Sequence, residues 1–101
     1  MTTVVRYTRS AEADLLEAWA FLAEFSFEAA DRILDAIGQG AQMLAEHPLM
    51  GQQRQELGTN VRYWPTKTSY NLYYLPHPEG IVILRVLHHA RDVLSRDLPS
   101  A

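Results

Sequence analysis

Residues 68–92, TSYNLYYLPHPEGIVILRVLHHARD, decide the fold. Tyr70, Leu72 and Tyr74 occupy every second position, a period of two that predicts a strand with one buried face. The run from Ile81 to Leu87 is apolar at almost every position, so we expect this second strand to be central and covered on both faces. The linking segment PHPEG contains two prolines and a glycine, which end strands and permit a reversal. The stretch therefore predicts a β-hairpin with a polar cluster at its far end.

Two helices are predicted upstream of this hairpin. Ser10 is the predicted N-cap of the first helix, which carries an apolar stripe from residue 11 to residue 24 or 25. Ser26 is the predicted N-cap of the second helix, and His47-Pro48 ends it because proline disfavours helical geometry in the residue before it. The short link makes the two helices an antiparallel pair.

Two glycines, Gly38 and Gly40, interrupt the second helix, and each costs about 1 kcal/mol relative to alanine. We expect them to permit close packing against the sheet or the first helix. The alternative is a locally weakened helix that adapts to a partner.

The remaining segments complete a single α+β domain spanning residues 1–101. Short strands are predicted over residues 3–8 and 61–64, a loop over 49–60, and a short C-terminal helix or frayed tail over 90–98. The expected architecture has two layers: an N-terminal strand, an antiparallel helical hairpin and a three-stranded antiparallel meander (β-α-α-β-β-β). Alternating the element directions in this order makes the first and last strands antiparallel neighbours.

Charge and composition narrow the function. Residues 1–47 carry three basic and eight acidic side chains, whereas residues 48–101 carry six basic and four acidic ones. An acidic N-terminal half argues against general nucleic-acid binding, which needs a broad basic surface. The chain has no cysteine and no apolar run of membrane-spanning length, which favours a soluble cytoplasmic protein without disulfides or thiolate metal sites.

One polar group stands out near the C-terminal end of the hairpin. Its members are Arg62, Arg85, His88, His89, Arg91 and Asp92. Arg85 is predicted to share a sheet face with Ile81, Ile83 and Leu87. In a structural role, its guanidinium group would reach the surface on an apolar stem or pair with a carboxylate. In a functional role, it would contact an anion or a partner on the sheet face opposite the helices.

The adjacent histidines of this group suggest further chemistry. Neighbouring strand residues point to opposite faces, so His88 and His89 make a poor pair for one metal ion, and neither a metal nor a cofactor is expected. One of them could act as a general acid or base beside the arginines, although a structural or partner-contacting role is also open.

Large apolar residues are concentrated on the helical hairpin. Trp19 and Phe25, with Phe21 and Phe27 close by, exceed what one buried stripe can hold. We therefore expect a protein-binding surface there. A second aromatic set on the strands, which is expected mainly to pack but could stack on bases, consists of Tyr63, Trp64, Tyr70, Tyr73 and Tyr74.

Several short motifs along nearly the whole chain resemble the ParE branch of the RelE/ParE toxin superfamily. They are residues 10–15 (SAEADL), 29–33 (AADRI), 44–51 (LAEHPLMG), 61–62 (VR) and 83–92 (ILRVLHHARD). The opening motif is similar to S-x-x-A-x-x-D-L with shortened spacing. The last is similar to R-V-L-H-G-x-R-D, with His89 where glycine is usual.

The resemblance implies the toxin half of a bacterial toxin–antitoxin pair. Relatives of the ParE kind block DNA gyrase and are neutralised by a ParD-like antitoxin whose C-terminal segment wraps around the toxin. The residues expected to contact partners are Trp19, Phe25, Arg62, Trp64, Arg85, His89 and Arg91.

Relatives of the RelE kind are ribosome-dependent mRNA endonucleases. That alternative would use Arg62, Arg85, His88 and Arg91, but a single lysine and an acidic N-terminal half fit ribosomal RNA poorly. A third hypothesis is a binding module that has lost toxicity, and the departure at His89 motivates it.

Overall fold

The predicted hairpin and the two helices upstream of it are present in the computed structural model, which describes residues 3–100. The elements in chain order are β1 (Val4–Tyr7), α1 (Arg9–Ala23), α2 (Phe27–Glu46), β2 (Gln52–Gln53), β3 (Arg62–Pro65), β4 (Tyr70–His77) and β5 (Gly80–His88). Single 3-10 turns lie at Gln55–Leu57 and Ser95–Asp97. The strands form one sheet in the order β1-β5-β4-β3-β2. The α+β fold class is confirmed.

Side-chain caps set the ends of the helices. Ser26 caps α2 as predicted, since its hydroxyl accepts a hydrogen bond from the Ala29 N–H at 3.2 Å. The cap of α1 is Thr8 and not Ser10, because the Thr8 hydroxyl accepts from the Ala11 N–H at 3.1 Å. The same hydroxyl donates to the Leu84 carbonyl at 2.8 Å. Thr8 therefore ends β1, begins α1 and fastens both to β5.

The pairing of the first and last strands differs from the prediction. β1 and β5 are parallel, with Val5 opposite Ile81, whereas an antiparallel pair was expected. The segment predicted as a loop over 49–60 contains β2, which pairs antiparallel with β3. This two-residue strand adds one reversal of chain direction, so every later strand runs opposite to the predicted sense. Two glutamines carry no alternation that could reveal a strand.

A bulge in β5 changes which side chains share a face. Tyr73 pairs with Arg85 but Tyr74 pairs with Ile83, so one residue of β5 has no opposite partner. Beyond the bulge the alternation is shifted by one. Ile83 packs with the helices while Leu87 packs on the opposite face, so the predicted face shared by Ile83, Arg85 and Leu87 is wrong.

Both faces of β5 are covered, as its continuous apolar run predicts. The helix-side core consists of Ala11, Ile37, Ala41, Leu44, Ala45, Leu72, Tyr74, Ile81, Ile83 and Val86. The opposite core consists of Leu57, Val61, Tyr73, Leu84 and Leu87. The partly buried Val93 and Leu98 pack against this second cluster, so the C-terminal segment covers part of the sheet face that lacks helices.

A buried ion pair joins α1 to β5. The Asp14 carboxylate accepts from Arg85 Nε at 2.7 Å and from Arg85 Nη2 at 2.8 Å, a bidentate geometry. It also accepts from the Val86 N–H at 3.0 Å, which β1 does not reach. The two side chains are only 8% and 17% exposed, so each charge depends on the other.

The glycines of α2 do not have the packing role expected of them. A Cβ added to Gly38 would meet nothing within 4 Å, and one added to Gly40 would make ordinary contact with Thr66 at 3.5 Å. Close approach instead occurs at Gly51, where an added Cβ would overlap the Tyr74 hydroxyl and lie 2.8 Å from the Tyr63 carbonyl. The predicted need for close packing in α2 is therefore wrong, and Gly51 is the position that requires it.

The same substitution should have opposite effects at two of these glycines. Gly38→Ala should stabilise the fold by about 0.5–1 kcal/mol, because alanine restricts the unfolded chain and fits the open helix surface. Gly51→Ala should destabilise it by about 1–3 kcal/mol, because Tyr74 is fully buried and cannot move aside. Urea unfolding midpoints measure both changes, and equal shifts in one direction would contradict this packing.

The ion pair can be tested by removing its negative charge alone. Asp14→Asn keeps an oxygen for the Val86 N–H but leaves Arg85 without a counter-charge, so it should destabilise the protein by about 3 kcal/mol. Glu56→Gln is the matched control, because Glu56 pairs with Arg54 on the exposed surface. A midpoint for Asp14→Asn close to that of the control would refute the structural importance of the pair.

Candidate functional site

The predicted cationic group is divided by the fold. Arg62 Nη1 donates to the carbonyls of Leu49 at 3.1 Å and Gly51 at 2.6 Å, which fixes the segment after α2. Among residues 3–100, Arg62 shares no hydrogen bond, ion pair or cavity with Arg85 or Arg91. It lines a separate shallow cavity beside Pro76. The side chains proposed for a ribonuclease site are therefore not all brought together.

Arg85 is held inside the chain. Two of its nitrogens bind Asp14, and Nη1 donates to the Asp97 carbonyl at 2.8 Å. The hydrogen bonds to Asp14 raise the pKa of Arg85 above its ordinary value. Among the alternatives that the sequence left open for Arg85, pairing with a carboxylate is the one observed. Three of its five N–H groups are thus engaged within the chain, one on each nitrogen.

The two histidines occupy different surroundings. Their rings are stacked, with centroids 4.6 Å apart, so strand alternation does not separate them completely. Stacking is possible because β5 ends at His88 and the chain turns at His89. His88 lines a cleft on the helix side, whereas His89 lines a concavity on the open face of the sheet.

The glycine usual at the position of His89 is not needed here for its backbone freedom. Asn60 is the one non-glycine residue with positive φ in the described chain, so His89 has a conformation open to any L-residue. Its N–H donates to the Ser69 carbonyl at 2.8 Å.

The concavity on the open face encloses about 470 Å³ and has cationic and aromatic walls. Arg54 lies 5.2 Å above the ring of Tyr63, which stacks on Tyr73 at 5.9 Å. His89, Arg91 and the carboxylate of Asp92 also line the concavity. We call this set the open-face cluster. Arg54 was missed by the sequence reasoning, because it lies in an aperiodic segment where only its charge could have marked it.

The strand aromatics serve mainly in packing, as expected. Tyr74 is fully buried, and its hydroxyl donates to the Pro48 carbonyl at 2.7 Å and accepts from the Gly51 N–H at 2.9 Å. Tyr73 is 4% exposed. Burial keeps both rings from stacking on a base. Trp64 is half-buried beside α2 and lines a groove of about 350 Å³.

A cleft of about 210 Å³ lies between α1 and the sheet. Its walls include Glu17 and Phe21 of α1, Tyr70 at the start of β4, and His88 with Arg91 at the end of β5. Burial, together with the negative charge of Glu17, raises the pKa of Tyr70. Sequence reasoning did not identify Glu17, because only the tertiary fold brings it beside Tyr70.

The helical hairpin exposes apolar side chains, as its composition predicts. Phe25 is 75% exposed, Leu16 70%, Phe27 68% and Phe21 56%. Trp19 is half-buried, stacks on Phe27 and donates from Nε1 to Asp31 at 2.9 Å. We call these five residues the hairpin surface. Exposed aromatic side chains at this density are typical of protein-binding surfaces.

No helix among residues 3–100 combines the length and apolar content that crossing a bilayer requires. Within the same residues, no group of three or more histidine and carboxylate side chains is arranged to hold a metal ion.

Comparisons with known proteins agree with this fold. The chain resembles a solved structure described as the chromosomal ParDE TA system from P. aeruginosa, with a TM-score of 0.72 and 20% sequence identity. The match covers 86% of this chain and 96% of the other. A search of curated proteins gave no match.

The family model for the ParE toxin of type II toxin–antitoxin systems matches residues 5–93. This range contains both helices, all of β2–β5, the hairpin surface and the open-face cluster. The chain therefore belongs to the ParE toxin family of type II toxin–antitoxin systems.

Proposed function

We propose that this protein stops bacterial growth by binding DNA gyrase, and that it acts without chemistry of its own. The toxin class follows from its family. The internal binding of Arg85 favours a binding mechanism over catalysis, because all three guanidinium nitrogens have partners within the chain. A phosphate-cleaving site needs free cations where negative charge develops in the transition state. Arg62 is engaged through one nitrogen, since Nη1 alone donates to two carbonyls.

A ParD-like antitoxin is the proposed neutralising partner. The similar structure from P. aeruginosa is described as a ParDE system, and the present chain exposes the hairpin surface that a partner would cover. Among residues 3–100, β1 is an edge strand that pairs with β5, so an added strand could pair with its other edge. We propose that the antitoxin folds over both features as it binds.

An mRNA endonuclease is a second candidate because of the open-face cluster. Arg54, His89 and Arg91 line a concavity in which an anion could bind, although the carboxylate of Asp92 in the same wall opposes it. His89 could transfer a proton. Two of the cations are already paired, Arg54 with Glu56 and Arg91 with Asp97 at 3.3 Å. These pairs weaken the case, and the set differs from the four residues proposed from the sequence.

The third hypothesis, a binding module without toxicity, rests on His89 in place of glycine. The backbone at His89 gives it no support, because the position does not require positive φ. Growth arrest on expression without an antitoxin would exclude it.

Gyrase inhibition and RNA cleavage can be separated in two assays with the same purified protein. We expect inhibition of gyrase supercoiling and no cleavage of ribosome-bound mRNA. A double substitution of Arg54 and His89 by alanine should leave this inhibition within about threefold of the parent, a change below 1 kcal/mol. If instead the parent protein cleaves ribosome-bound mRNA and the double variant no longer arrests growth, the endonuclease is established. Folded protein inactive in both assays would contradict both proposals.

Antitoxin binding should depend on the hairpin surface. Phe25→Ser removes an exposed ring without disturbing the core, so it should weaken the antitoxin complex at least about tenfold, as expected for a central aromatic contact. Leu94→Ser is the matched control, since Leu94 is 49% exposed on the open face. Isothermal titration with the ParD-like protein measures both. Equal affinities for the two variants would place the antitoxin elsewhere.

A further inference from the structure

We propose that the cleft between α1 and the ends of β4 and β5 is a socket for a cationic side chain, an arginine or lysine of a protein partner. The cleft encloses about 210 Å³, below the roughly 300–1,000 Å³ of typical small-molecule sites. It therefore fits one long side chain better than a cofactor. This inference is independent of whether gyrase is the target.

One carboxylate beside the cleft has no hydrogen-bonded partner among residues 3–100. Asp14 is neutralised by Arg85, and Arg91 lies 3.3 Å from Asp97. Glu17 is exposed and has no hydrogen bond or ion pair from its side chain to any residue among 3–100. An incoming cation would find a carboxylate that is not already paired.

Aromatic rings stand beside this carboxylate. Tyr70 and His88 meet edge to face with centroids 5.6 Å apart, and Phe21 forms the α1 side of the cleft. Ring faces attract guanidinium and ammonium groups, and the attraction is stronger where water is partly excluded. His88 Nδ1 accepts from the Ala90 N–H at 3.2 Å, so the neutral ring carries its proton on Nε2. A carboxylate with aromatic walls is a combination that selects cations over anions.

The rim of the cleft extends toward an apolar contact. Phe21 packs edge to face on the exposed Phe25, with centroids 5.5 Å apart. If a partner places its cationic residue in the cleft, an apolar residue next to it in the partner's sequence would contact Phe21 and Phe25. Arg91 opposes a cation from the other wall, and its contact with Asp97 reduces that repulsion.

The test uses the full chain and three small probes. Nα-acetyl-arginine amide supplies the cation, Nα-acetyl-citrulline amide has nearly the same shape without charge, and Nα-acetyl-glutamate amide is an anion. Backbone amide shifts in ¹⁵N-labelled protein should move saturably for Ala18, Tyr70 and Val86 with the arginine probe. The citrulline probe should bind at least about threefold more weakly, as loss of one ion pair and cation–π contact predicts.

Two variants identify the carboxylate responsible. Glu17→Gln should lower the affinity for the arginine probe to that for citrulline, while Glu12→Gln, an exposed carboxylate on the same helix, should leave it unchanged. The proposal is overturned if the shifts do not saturate, if citrulline binds equally well, if the glutamate probe binds more tightly, or if both variants lose affinity alike. None of these measurements uses gyrase or an antitoxin. A negative result here would therefore not contradict the proposed function, which the gyrase and antitoxin assays test separately.

Discussion

The carboxylate of Asp14 is the constraint on which the rest of this structure depends. β1 ends at Tyr7, but β5 continues to His88, so the later part of β5 has no neighbouring strand on that side. Two side chains at the start of α1 bond to β5 where a neighbouring strand would: Thr8 donates to the Leu84 carbonyl, and Asp14 accepts from the Val86 N–H. Unpaired backbone groups in a buried strand would be costly. The beginning of α1 is thereby locked to the sheet.

The same carboxylate organises the C-terminal segment through Arg85. The guanidinium is shared between Asp14 and the carbonyl of Asp97, so the 3-10 turn at Ser95–Asp97 is bonded to β5. A backbone hydrogen bond from the Leu94 N–H lowers the pKa of the Asp97 carboxyl, which also contacts Arg91. Cations that the sequence suggested for a site therefore hold the fold together. What remains for partners is exposed aromatic surface, the cleft beside Glu17 and the open-face cluster.

Elements of this fold are predictable from the sequence where one physical signal dominates a long segment. Alternation at Tyr70, Leu72 and Tyr74 predicted the strand β4, but not the burial of its second face at Tyr73. Ser26 and His47 marked the ends of α2. Excess aromatic content on the helices predicted their exposure. Features that depend on a short or non-local sequence signal were not predicted: the two-residue strand β2, the bulge in β5 and the N-cap at Thr8. Thr8, two residues before Ser10, is the N-cap because its hydroxyl also binds the Leu84 carbonyl of β5, 76 positions away.

By itself, the sequence determined the fold class, the helical hairpin, the burial of β5 on both faces and the family. Each follows from periodicity, capping or motif order, which are properties of neighbouring residues. Only the tertiary structure decided the parallel pairing of β1 with β5, the capture of Arg85 by Asp14, and the separation of Arg62 from Arg91. These depend on contacts between residues far apart in the chain. A side chain's partners are set by where the backbone carries it, and not by its chemical type alone.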